Sequence, residues 1–127
     1  MISTFRIGTP RRKGEGLRLG TVRFLPRGVK KEDYARLDYF DVWLPLLAPS
    51  KELVAWAQRG GLEKNIKQFY ARYRRELLKH TEARQTLITL AKLGEKTDLS
   101  VGCYCEDESH CHRSELFRLL KEAAGRI

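Results

Sequence analysis

Apolar residues along this chain change their spacing several times, and each change marks a structural element. Near the start, Phe5–Gly8 and Gly20–Leu25 read as two strands, with Val22 and Phe24 on one face. Gly14 and Gly16 between them predict a flexible basic loop. Leu25-Pro26-Arg27-Gly28-Val29 is a turn signal. The run Asp41–Leu47 is apolar but interrupted by Pro45, so it reads as an extended core segment and not as a helix.

From Pro49 the period lengthens. Ser50 is placed to cap a short helix, Glu52 suits the positive end of its dipole, and Gly60-Gly61 stops it. Ile66, Phe69, Tyr70, Tyr73 and Leu77 then recur every three or four residues and predict a helix over 62–80 with one buried stripe. Burying such a side chain is worth roughly 1.5–3 kcal/mol, enough for the stripe to dock the helix. Its charge-rich side faces solvent. Thr81 caps a third helix ending at Gly94. A strand over 98–104 follows, and then a helix over 113–124 that buries Leu116, Leu119, Leu120 and Ala123. Strands, helices, strand, helix is the order of an α/β fold: a small sheet with some parallel pairing, flanked by helices. The 127 residues fit one domain with a real core, without help from disulfides.

The charge pattern adds a second axis. Residues 1–31 hold nine basic side chains against the single acid Glu15, a balance of +8, whereas the other 96 hold 16 basic and 15 acidic ones. Basicity concentrated at one end points to a partner bearing negative charge, an anionic small molecule or a nucleic acid. The alternative is a solvated basic face, or charges folded back onto the acidic run Glu106–Glu108. No apolar stretch is long enough to span a membrane, and the first ten residues do not resemble a secretory signal, so the expected location is the cytoplasm. A 32% share of charged residues, with one Asn and one Met, leans towards a thermophile.

The candidate chemistry is confined to ten residues. All three cysteines and two of the three histidines fall in Cys103-Tyr104-Cys105-Glu106-Asp107-Glu108-Ser109-His110-Cys111-His112, followed at once by Arg113. The segment joins a strand's carboxyl end to a helix, where open α/β sheets place their ligands. Cys111 stands beside a helix start, a histidine and an arginine, the surroundings that stabilise a thiolate. Arg113 suits a bidentate bond to an anion. Cys105 lies within reach of Cys111 if the loop folds back, which would allow a reversible disulfide with one thiol attacking and the other resolving. Neither the Cys-x5-Arg phosphatase spacing nor a Cys-x-x-Cys redox spacing is present. No cofactor is expected on this reading. Zinc is the alternative, with Cys103, Cys105, Cys111 and either His110 or His112 as a soft tetrahedral set; the strand-like alternation of Cys103 and Cys105 argues against it. Cys103 reads as a core residue of the strand.

Arg23-Phe24-Leu25-Pro26-Arg27-Gly28-Val29-Lys30-Lys31, Trp43, Ala48-Pro49-Ser50-Lys51-Glu52-Leu53 and Phe69-Tyr70-Ala71-Arg72-Tyr73-Arg74-Arg75-Glu76-Leu77 together resemble the YeaO-like proteins of a large prokaryotic family of unknown function. Cys105-Glu106 with Cys111-His112-Arg113 is similar to the Cys-Glu…Cys-His-Arg signature of that wider family. The likeness runs over about residues 1–125. It departs at Val22 and Leu25, where YeaO-like members usually carry Asp and Trp. The resemblance implies a fold class and a short set of residues, without a settled activity.

The leading expectation is a thiol-dependent enzyme or redox protein acting on an anionic, nucleotide-like substrate. Cys111 is its nucleophile, Cys105 its partner thiol and Glu106 a proton carrier, with Arg23, Arg27, His112 and Arg113 binding the anion. A nucleic-acid module built on the basic first third and a metal-binding protein are the alternatives. Oligomeric state is not readable from these residues.

Overall fold

In the computed structural model, which describes residues 1–61, 64–105 and 111–124, four strands form one sheet in the order β1-β4-β2-β3, with every pair parallel. These are β1 (Ile2–Arg6), β2 (Leu17–Gly20), β3 (Val42–Trp43) and β4 (Leu99–Cys103). The central strand β4, Leu-Ser-Val-Gly-Cys, is buried at every position, as a parallel strand covered on both faces must be. Gly102 is required there, because a Cβ at that position would stand 2.5 Å from the Phe5 ring. β1 pairs Ile2 with Leu99 through to Arg6 with Cys103, and β2 pairs Leu17 with Leu99 through to Gly20 with Gly102.

Among the described residues four α-helices complete the fold: α1 (Lys51–Trp56, continuing as a wider turn through Ala57–Gly61), α2 (Ile66–Lys79), α3 (Thr81–Lys96) and α4 (His112–Ala124). Ser50 caps α1 as expected, its Oγ accepting from the Leu53 N–H at 3.1 Å, and the Glu76 carboxylate of α2 accepts from the Ser50 N–H and hydroxyl. The stripe of α2 buries Phe69, Tyr73 and Leu77; Tyr73 also donates to the Leu47 carbonyl at 2.6 Å. Arg74 ties α2 to Glu115 and Glu122 of α4. Among the described residues no helix is long and apolar enough to cross a membrane.

The core is divided. Leu19, Leu99 and Val101 pack with the apolar stripes of the four helices. Phe5, Ile7, Val22, Phe40, Cys103 and Cys111 form a smaller cluster, with Tyr34 and Tyr39 against it. That smaller core sits at the carboxyl ends of the strands.

Several local expectations shift. The two early strands lie earlier than their apolar runs suggested, at 2–6 and 17–20. The stretch 21–25 is not strand: Val22 is buried, while Phe24 is half exposed. Thr81 is the first helical residue of α3, which runs past Gly94 to Lys96; the residue before it, His80, makes no side-chain cap. The start predicted for α2 at residue 62 falls on 62–63, outside the described residues.

The glycine-rich connection from β1 to β2 is stitched down. Arg18 is completely buried. Its Nε donates to Glu15 at 2.9 Å, its Nη groups donate to the carbonyls of Asp38 and Pro10, and its guanidinium lies 4.4 Å over the Phe5 ring. Arg12 holds Glu15 and the Thr4 carbonyl, and Arg11 makes a two-pronged bond to Asp41. A parallel β1 and β2 flanking β4 need a chain return over the sheet, and these arginines fasten it.

Candidate functional site

Cys103 ends β4 and Cys111 immediately precedes α4, whose first turn is closed by Ser114 donating from both N–H and Oγ to the Cys111 carbonyl. The two sulfurs are in bonding contact as a disulfide. Cys111 therefore meets Cys103, where the sequence pointed to Cys105, and Cys103 is more than a core residue. Cys103 and Cys111 both belong to the small core, whereas Cys105 lies outside that pair and is half-buried. Glu106 and His110, expected as proton carrier and metal ligand, lie outside the described residues.

His112 sits beneath Cys111 with both ring nitrogens engaged. Nε2 is 2.6 Å from the Thr21 carbonyl, which can only accept, so Nε2 carries the proton. The lone pair of Nδ1 is then left facing Cys111 Sγ at 3.8 Å. Thr21 is itself fixed, its N–H and hydroxyl both donating to the Gly102 carbonyl at 3.1 Å, and Tyr73 packs edge-on against the imidazole. Burial pushes the His112 pKa down to about 4; the bond to Thr21 works in the opposite direction, and the Arg113 charge adds to the lowering. The ring is neutral at physiological pH. Arg113, also buried, donates from Nη1 to the Cys105 carbonyl at 2.8 Å and to Cys103 Sγ at 3.4 Å, while its buried Nε has no hydrogen-bond partner among the described residues.

Cys103, Cys105, Cys111 and His112 all line one pocket of about 280 Å³, closed elsewhere mainly by apolar groups such as Val22, Val54 and Phe69. Arg23 lines it too. Its Nε and Nη2 donate to the carbonyls of Pro49, Pro45 and Ala48, which pins the 45–49 segment, and no carboxylate pairs with it among the described residues. Arg27 is exposed on its turn and is not part of that lining. The basic first third meets the site at another point. Arg6 and Arg12 share a cavity of about 500 Å³ with Arg113. Only the alternation of Phe5 and Arg6 along β1 hints at this, and it needs the β1–β4 pairing to be read.

A family model described as the active DUF488-N3 subclade matches residues 2–124. No curated protein and no solved structure matches the chain. The likeness to YeaO-like proteins agrees with this match, since those proteins share the broader DUF488 grouping. With the match spanning nearly all of its residues, the chain belongs to the DUF488-N3a family.

Proposed function

We propose that this protein is a thiol-dependent redox enzyme whose centre is the Cys103–Cys111 pair, working on a small substrate with an apolar body and an anionic end. The observation that carries this reading is the chain of contacts from the Thr21 carbonyl through His112 to Cys111 Sγ, with His112 and Cys111 in the wall of a pocket. A nucleophile, a neutral base and a group that orients the base are the parts a reactive thiol needs. The family description, an active subclade, accords with a working site.

In the reduced protein the Cys111 thiol donates to His112 Nδ1, and the proton crosses that bond only as the sulfur attacks. Cys111 Sγ attacks one sulfur of a substrate disulfide, forming a mixed disulfide and releasing the other half as a thiolate, which takes that proton back. Cys103, beside the Arg113 guanidinium, then attacks Cys111 Sγ. The protein disulfide closes and the second half leaves with the Cys103 proton. Two electrons and two protons pass to the substrate, and a dithiol reductant restores the pair. Arg23 gives the pocket its positive charge. Cys105, on the same lining, stands near the entering substrate in place of the resolving role first expected for it.

The nucleic-acid alternative has less to rest on. Arg11, Arg12, Arg18 and Arg23 hold the fold's own carboxylates and carbonyls.

A reduced Cys105→Ser protein mixed with an aromatic disulfide bearing carboxylates tests the reading. Two thiolates should be released per chain and the product should carry the internal disulfide. Adding Cys103→Ser should stop the reaction at one thiolate, and adding Cys111→Ser should slow it at least about tenfold. Equal rates in all three proteins would overturn the proposal.

A further inference from the structure

The same residues pose a second question, namely what the dithiol holds when it is not oxidised. We infer that reduced Cys103 and Cys111, together with His112, form a three-ligand site for a soft divalent cation of the zinc type, with the fourth coordination position open to the apolar pocket. One sulfur from each cysteine and one ring nitrogen of His112 lie within 4.8 Å of one another, and all three residues are buried. The inference shares its cysteines with the proposed redox centre and rests on that reading only in requiring that they can be reduced.

Four observations converge on it. The first is the frame: the Cα atoms of Cys103 and Cys111 are 7.6 Å apart, beyond the 4.4–6.8 Å that disulfides usually span. Zinc–sulfur bonds of about 2.3 Å in tetrahedral geometry set two sulfurs apart by roughly 3.7 Å, which a wider frame accommodates. The second is the imidazole. Its Nε2–H is committed to the Thr21 carbonyl, so Nδ1 presents a lone pair towards the sulfurs. A backbone carbonyl on the far nitrogen is the outer support that metal-bound histidines use. The third is Arg113, whose Nη1 points at Cys103 Sγ and supplies the N–H donor that a coordinated thiolate accepts. The fourth is access, because all three ligands line the pocket and a water or substrate atom can complete the tetrahedron.

This ligand set differs from the one its spacing suggested. Cys105 and His110 looked like partners by sequence distance, but the turn into α4 brings His112 beneath the sulfurs. Binding exchanges the two thiol protons for one divalent cation, and no electrons move. Metal and disulfide therefore exclude each other, so a bound ion silences thiol exchange and closure of the disulfide expels the ion.

Cobalt(II), and then zinc, titrated into the fully reduced full-length chain without oxygen reads the site directly. Thiolate-to-cobalt charge-transfer bands should rise to one ion per chain and disappear when zinc is added. They should persist in Cys105→Ser and be lost in Cys111→Ser and Cys103→Ser. Since Cys103 is buried and its variant could fail to fold, alkylation of the wild-type protein is followed in parallel by mass spectrometry. Zinc should slow modification of Cys103 and Cys111 at least about tenfold and leave Cys105 unchanged. Absent charge-transfer bands, bands that survive in a folded Cys111→Ser protein, or protection confined to Cys105 would overturn the inference. Thiol exchange without cobalt binding would sink the metal site alone. Cobalt binding without exchange in the metal-free protein would sink the redox reading alone.

Discussion

His112 works because its two nitrogens meet different partners: a carbonyl that fixes the proton on Nε2 and a sulfur that faces the bare Nδ1. A glutamine in its place can set its amide N–H near Nε2 and still donate to Thr21, but it offers no base to Cys111. His112→Gln should therefore leave the melting temperature within a few degrees of wild type and slow attack by Cys111 about 100-fold, the lower range for a positioned base. Stopped-flow mixing with the aromatic disulfide reads that rate, and an unchanged rate would remove His112 from the chemistry. At this scale the chain announced its chemistry by crowding thiols, imidazoles and Arg113 into one stretch. It did not reveal which sulfurs meet. Cys103 and Cys105 alternate along a strand end, and only the packing of Phe5, Val22 and Phe40 beneath Cys103 determines that this sulfur receives Cys111.

Among the elements, the least legible was the connection between β1 and β2. Glycines and basic residues in a row read as a flexible loop, because formal charge in a sequence carries no record of its partner. Glu15 and Asp41 supply those partners from either side of β2. For both carboxyls burial favours the neutral form, but hydrogen bonds outweigh it, from Arg18 and Arg12 at Glu15 and from Arg11 and the Arg18 N–H at Asp41. Both pKa values consequently fall below their ordinary 4.5 and 3.8. A group depressed in the folded state stabilises it above the ordinary value and loses that contribution as pH drops through the folded one. Chemical denaturation should show stability level from neutral pH down to about 5 and falling below about 4. Asp41→Asn should be weaker at neutral pH, with a shallower fall in acid. A variant with the wild-type acid slope would show that the Arg11–Asp41–Arg18 contacts do not fasten the loop. The helices were easier to read. The stripe Phe69, Tyr73, Leu77 and the cap at Ser50 are local patterns, and both survive folding.

Across the whole molecule, the parallel sheet brings the carboxyl ends of β1, β2 and β4 to one edge, where the small core, the apolar pocket and the cavity of Arg6, Arg12 and Arg113 adjoin. The α/β class followed from the order of elements, whereas the strand order did not: β4 inserts between β1 and β2 from nearly eighty residues away, and no short-range pattern encodes that pairing. The insertion is what sets Thr21 beside Gly102 and His112 beneath Cys111. The account accordingly stands on the sulfur of Cys111 meeting that of Cys103. Non-reducing peptide mapping measures it most directly, with the full chain oxidised by a small disulfide, its remaining thiols alkylated and its linked peptides sequenced by mass spectrometry. The account predicts a Cys103–Cys111 link with Cys105 alkylated. A Cys105–Cys111 link, or three alkylated cysteines after complete oxidation, would contradict it.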